Sequence, residues 1–339
     1  MKGSGPLALE PILVPKPWGG RRLEGLGKKL PDYLPAGTVY GESWEVADLP
    51  DDALSAAAKG RTLVADGPHR GKSLRQLIVE FGPELLGSAS PTAAGDFPLL
   101  FKLLDTAEHL SIQVHPDEER AGPRREWFPK TESWYVIDAE PGAAIFKGLR
   151  TGVTLDDVRA AAGTPALAGL LQRTLVKRGD FHHLPAGTVH ALGAGVTVAE
   201  VQTPSDTTLR LYDWTEEYGR PERPLHVEDG LAAVVVEHGP APALPPVDGS
   251  GSRLLVSTPH YWIREHRPAA GDGAALVRKS ELRILMVTRG SVSVGNENAS
   301  ATGVPAGGTA LIPAARALSA VVIAREGTTL LEIGLVPAG

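Results

Sequence analysis

The segment GDFHHLPAGTVHAL (Gly179–Leu192) decides how the fold is read. Gly179 and Pro185 stand six residues apart, and His190 follows the proline by five. The glycine suits a turn, the residues after it alternate as a strand does, and Pro185 sets a second turn. His190 then falls at an inward position of the next strand. The same spacing returns in GGTALIPAARAL (Gly307–Leu318), where Gly307 and Pro313 are six apart and Leu318 follows by five. Two copies of one strand–turn–strand unit predict duplicated β-barrels. The first would hold a histidine inside; in the second Leu318 would plug a structural interior.

The rest of the 339 residues supports an all-β reading with helical insertions. Thirty-nine glycines and 29 prolines punctuate short apolar runs such as TVAEV, LRLY, RILMV and SVSV. Helices are expected near residues 73–87 and 154–173. Ser73 with Gln76, and Thr154 with Asp157, have capping-box spacing, and Leu74, Leu77, Ile78 and Phe81 share one helical face. A Pro- and Gly-rich stretch at 238–252 reads as a linker between a catalytic part, 1–237, and a metal-free C-terminal barrel, 253–339.

Composition closes off several functions. There is no cysteine, which excludes disulfides, thiolate metal sites and cysteine nucleophiles. A net charge of −6 without a Lys/Arg-rich tract argues against a nucleic-acid partner. No apolar run approaches the ~20 residues of a membrane span, and the first residues are too weakly apolar for a signal peptide. A cytoplasmic protein is expected. The sequence carries no signal for an oligomeric state. GPHRGKS (Gly67–Ser73) resembles a phosphate loop, but three residues rather than four separate its glycines, so it reads as a turn before the Ser73 helix.

Chemistry-bearing residues sit on strands. In LSIQVHPDEER (Leu110–Arg120), Ser111, Gln113 and His115 share one face, and Glu132 and His190 lie on further strands. A row of this kind is usually a wet outer face, but it could also line a barrel. Two imidazoles and a carboxylate, with an amide to assist, would suit a divalent first-row metal.

GDFHHLPAGTVHAL fits the second cupin motif, with Gly193 where that motif often ends in Asn. The first motif is altered: the pair is Gln113-x-His115, and Glu132 comes 17 residues after His115. These departures resemble one branch, the type I phosphomannose isomerases, particularly their short bacterial form. FPLLFKLLDTAEHLSIQVHPDEERA, KTESWYVID, LPAGTVHALGAGVTVAEVQTPSDTTLRLYDW, PKPWGGRRL (Pro15–Leu23) and GESWEVAD (Gly41–Asp48) carry the likeness, which runs from about Pro11 to Leu231. The resemblance implies that Gln113, His115, Glu132 and His190 hold one zinc ion per chain. The implied reaction interconverts mannose 6-phosphate and fructose 6-phosphate by moving a proton between C1 and C2 through an enediol(ate). It implies Glu200, then Lys130, as the base, Arg210 beside the enediolate, and Lys102, Ser111 and Lys130 near the phosphate of a small sugar-phosphate substrate. His182 and His183 are further candidates, only one of which can point inward. Two other readings remain open: a non-haem iron cupin oxygenase built on His115, Glu132 and His190, and a non-catalytic sugar-binding cupin.

Overall fold

The computed structural model describes residues 1, 5–29, 35, 37–49, 60–122, 127–237, 244, 251–269, 280–296, 299–318 and 320–337. Of the expected linker, all but Leu244, Gly251 and Ser252 lie outside the described residues.

Four antiparallel sheets carry the fold. The six-stranded sheet runs in the order Phe181–Leu184, Glu132–Ala139, Val196–Gln202, Leu100–Thr106, Glu42–Val46, Ile12–Val14. A five-stranded sheet runs Leu209–Tyr212, Ile112–Val114, His190–Leu192, Ala144–Leu149, Leu171–Leu175. The seven-stranded sheet is built mainly from C-terminal strands, between Gly251–Ser257 and Thr309–Ile312, and a three-stranded sheet formed by Ser291–Asn296, Ala299–Pro305 and Ala320–Ala324 completes that part.

The six-stranded sheet is buried on both faces, and its residues alternate between two cores. Phe101, Leu103, Tyr135, Ile137, Ala199 and Val201 pack against Tyr261, Ile263, Ile284, Leu331 and Ile333 of the seven-stranded sheet. Leu104, Trp134, Val136, Val196 and Val198 point the other way and meet Ile145 and Leu192 of the five-stranded sheet. Burial on both sides explains why LLFKLLD reads as an almost continuous apolar run. A polar residue inside such a strand is thus forced into one of two dry layers. The outer face of the five-stranded sheet is covered by the helices Leu155–Ala161 and Val227–Ala233.

Both capping boxes are present. Ser73 and Thr154 each accept from the backbone N–H three residues on, and Gln76 and Asp157 reach back to the cap N–H. The first insertion divides into Leu74–Phe81 and Pro83–Leu86. The second ends sooner than expected, because Leu171 already begins a strand.

The expected inward position of Leu318 is corrected. After Pro313 the chain makes a helical turn, Ala314–Ala317, and Leu318 is left 59% exposed. Alanine and arginine favour helix strongly, so AARA winds up where AGTV of the first copy makes a turn and leads into the strand of His190. The interior of the C-terminal part is filled instead by Leu285, Val287, Val294, Val304 and Leu330. The N-terminal strand Leu7–Glu10 also pairs with Thr309–Ile312, so the first residues of the chain belong to the C-terminal sheet.

Candidate metal centre

Register brings the polar residues together. In antiparallel pairs, directly opposed residues share a face. On the six-stranded sheet His182, Trp134, Glu200, Lys102 and Trp44 oppose one another in sequence, forming a single row. Glu132 lies two residues before Trp134, on the same face. On the five-stranded sheet a second row contains Arg210, Gln113, His190 and Lys147. Both rows open toward the layer between the sheets, and the row that could have been a wet outer face is an inner lining.

Within that layer His115, Glu132 and His190 place ligand atoms within 4.8 Å of one another, and all three are buried. Glu132 Oε1 is 3.0 Å from His190 Nε2, and Glu132 Oε2 is 3.5 Å from His115 Nε2. Each imidazole is tethered from behind: His115 Nδ1 donates to the Thr207 carbonyl at 2.8 Å, and His190 Nδ1 to that of Thr188 at 2.8 Å. With the proton on Nδ1, each Nε2 keeps its lone pair for the cluster. Burial, reinforced by Lys130, drives the His115 pKa down to about 3 against the pull of Glu132, so its ring stays neutral. Burial would raise the Glu132 pKa, but Lys130, His190 and His115 outweigh it and hold the carboxyl well below its ordinary value.

Gln113 completes the group. Its Nε2 lies 3.4 Å from His115 Nε2 and 3.3 Å from His190 Nε2, while its Oε1 accepts from Ser111 Oγ at 3.0 Å. A half-turn of the amide would bring the oxygen to the cluster and leave the NH2 for the Ser111 hydroxyl, which can equally accept. Both Glu132 oxygens are buried without a well-directed hydrogen bond, although Lys130 Nζ stands 2.8 Å from Oε2. A carboxylate, two imidazoles and an amide converging in this way fit a divalent transition metal.

The other expected residues fall around this cluster. Glu200 is buried, accepts from Trp134 Nε1 at 2.9 Å and lies 3.6 Å from Lys102 Nζ. Burial and the nearby Glu132 raise its pKa despite Lys130 and Lys102. Lys102 also lies 3.9 Å from Glu42 and 5.2 Å above the Trp44 ring. Burial lowers the Lys130 pKa, but Glu132, Glu200 and Glu42 together raise it above its ordinary value. Arg210 shares the inner row, yet its guanidinium turns to the Pro224 carbonyl at 2.8 Å, and its Nε is buried without a partner. His182 is buried on the inner face. His183 faces away and bonds to Ser133 Oγ at 3.0 Å.

Four participants escaped the sequence reading. Glu42, Trp44 and Trp134 enter the sequence reading only as parts of the GESWEVAD and KTESWYVID motifs, and Lys147 lies outside every motif. Alternation in AIFKGL could have flagged Lys147 as a cation in a buried strand. Its position beside His190 depends on a pairing 43 residues away, which no local pattern encodes.

Residues 7–141 match the family described as phosphomannose isomerase type I, catalytic domain. The chain is 33% identical over 297 residues to mannose-6-phosphate isomerase of Streptococcus mutans, covering 86% of this chain and 88% of that one. The crystal structure of mannose 6-phosphate isomerase from Bacillus subtilis superposes with a TM-score of 0.81 at 29% identity, covering 97% of this chain and 99% of that one. A mannose 6-phosphate isomerase solved bound with zinc and yttrium has the same fold, with a TM-score of 0.74 at 18% identity over 98% of this chain and 100% of the other.

Proposed function

The chain belongs to the type I phosphomannose isomerases, and we infer from this membership that it is a metal-dependent isomerase interconverting mannose 6-phosphate and fructose 6-phosphate. The observation that carries the reading is the buried convergence of His115, Glu132 and His190 with Gln113. The six- and five-stranded sheets are read as the two walls of a cupin-type barrel, and the C-terminal part as a metal-free companion.

The ion is read as zinc, one per chain, held by Gln113, His115, Glu132 and His190; a relative of the same fold was solved with zinc. When bound, it supplies a Lewis acid that favours negative charge on the sugar oxygens. Glu200 is assigned as the base: its carboxylate takes the proton from C2 of the aldose and, after exchange with solvent, delivers a proton to C1, while O1 gains a proton and O2 loses one, giving the ketose. A carboxyl whose pKa is raised makes a stronger base once ionised. Lys130 ranks second, because its carboxylate neighbours hold it protonated; as an ammonium it can donate to a substrate oxygen. Arg210 is placed beside the enediolate, its buried unpartnered Nε being the atom available to it. Lys102 lines the six-stranded wall and Ser111 the five-stranded one; with Lys130 they are assigned to polar groups of the substrate.

Gln113 disfavours the iron oxygenase, since a fourth protein donor occupies a position that a two-His-one-carboxylate centre leaves open. Among the described residues no helix is long and apolar enough to cross a membrane. The test is incubation of zinc-loaded protein with mannose 6-phosphate in deuterated water. Fructose 6-phosphate carrying deuterium at C1 is expected, and a chelator should abolish its formation. Sugar binding without turnover would leave a non-catalytic cupin.

A further inference from the structure

Among the described residues, Lys147 is a cation of the inner layer with no carboxylate beside it. It is only 5% exposed, and burial alone pulls its pKa down to about 8. The other two inner lysines are committed, Lys130 to Glu132 and Lys102 to Glu200 and Glu42. Ser111 is committed to Gln113.

Lys147 lies in register beside His190, so it projects from the same face as that metal-ligand candidate. Ile145, two residues earlier on the strand, packs among Trp134, Leu184 and Val198 in the layer between the sheets. From the opposite wall comes His182, in register with Trp134. Its Nε2 is buried without a partner, and after burial itself the charge of Lys147 is what lowers its pKa. An unpaired ammonium facing an unpaired imidazole nitrogen is a costly arrangement in a dry layer. It becomes favourable when an anion with several acceptor oxygens sits between them, as phosphate would.

We propose that Lys147 and His182, one from each wall, bind the phosphate group of the substrate. The inference rests on the isomerase reading and deepens it. The strand of Lys147 is one spacing, about 4.8 Å, from that of His190. Lys130 and Lys102 are then free to keep Glu132 and Glu200 in place.

The experiment compares zinc-loaded wild type with Lys147→Met and Lys147→Arg. KM and kcat for mannose 6-phosphate, the inhibition constant of inorganic phosphate, bound zinc and the thermal midpoint with and without inorganic phosphate are measured. Lys147→Met should retain zinc and raise KM and the phosphate inhibition constant together by about tenfold to a hundredfold. Lys147→Arg should recover most of both. Inorganic phosphate should raise the midpoint of wild type but not of Lys147→Met. Without phosphate, Lys147→Met should melt no lower than wild type, because an unpaired buried charge has been removed. Unchanged KM with unchanged phosphate stabilisation would overturn the proposal, as would a Lys147→Met chain that fails to fold. Wild type that is stabilised by phosphate but does not turn over the sugar would defeat the isomerase reading and leave the anion site standing.

Discussion

Glu200 and Ser111 look alike as buried polar residues on inner strands, yet their partners give them different work. Glu200 has a Trp134 N–H on one oxygen and Lys102 near the other, and it does not belong to the Glu132 cluster. Glu200→Gln should therefore retain bound zinc while kcat falls about 10²- to 10⁴-fold, the usual worth of a positioned base. Metal analysis beside turnover checks both halves, and near-normal turnover would pass the role to Lys130. Ser111 holds the Gln113 amide, so Ser111→Ala should weaken zinc affinity by about tenfold to a hundredfold, the usual cost of losing a group behind a ligand. A competition titration with a chelator measures it. A raised KM with unaltered zinc affinity would instead return Ser111 to the phosphate. The four metal-ligand candidates were legible because each lies in a spaced motif or on an alternating strand. Lys147 was not, since its meaning comes from the absence of a counter-charge in three dimensions.

Among the elements, close approach of two strands does more than propensity. Gly193 follows His190–Leu192, and a Cβ there would lie 2.0 Å from the carbonyl oxygen of Ala144. The cupin motif often has Asn at this place; in this chain Ala144 lies too near for any side chain. Gly193→Ala should cost about 1–3 kcal/mol, as overpacking does, and should loosen the strand that carries His190. Ser73→Ala removes one helix cap far from the centre and should cost about 1 kcal/mol. Urea unfolding of the two variants ranks them. A Gly193→Ala protein as stable as wild type would mean the strands can part freely. Both capping boxes could be read directly because a cap is a contact three residues long. Leu318 could not: the Gly–Pro spacing is shared by the two copies, but the residues after each proline choose between strand and helix.

Over the whole molecule, the division into a catalytic part and a C-terminal companion is crossed at several depths. Leu7–Glu10 pairs with Thr309–Ile312, a connection hidden in the sequence because the partners are some 300 residues apart. Buried Lys28 bonds both Glu45, at 2.8 Å, and the Gly307 carbonyl, at 2.7 Å. Behind Glu132 and Trp134, the alternate residues of the same strand reach into the C-terminal sheet: Ser133 Oγ meets Tyr261 Oη at 2.9 Å, and Tyr135 Oη donates to Glu265 at 2.7 Å. The strand that carries Glu132 is thus held from behind by residues 261–265. One apolar core joins Phe101, Tyr135 and Val201 to Ile263, Ile284 and Ile333. Each such side chain contributes about 1.5–3 kcal/mol by burial, against a net stability of about 5–15 kcal/mol for a typical protein. Stripping away residues 253–339 would uncover enough of that core to remove the net. The full chain is accordingly expected to melt in one cooperative transition, and a chain ending at residue 237 to be insoluble or to lack a transition altogether. Calorimetry on the first and expression of the second decide the matter. A soluble 1–237 chain that binds zinc and turns over sugar phosphate would show that the C-terminal sheet is dispensable to the strand it backs.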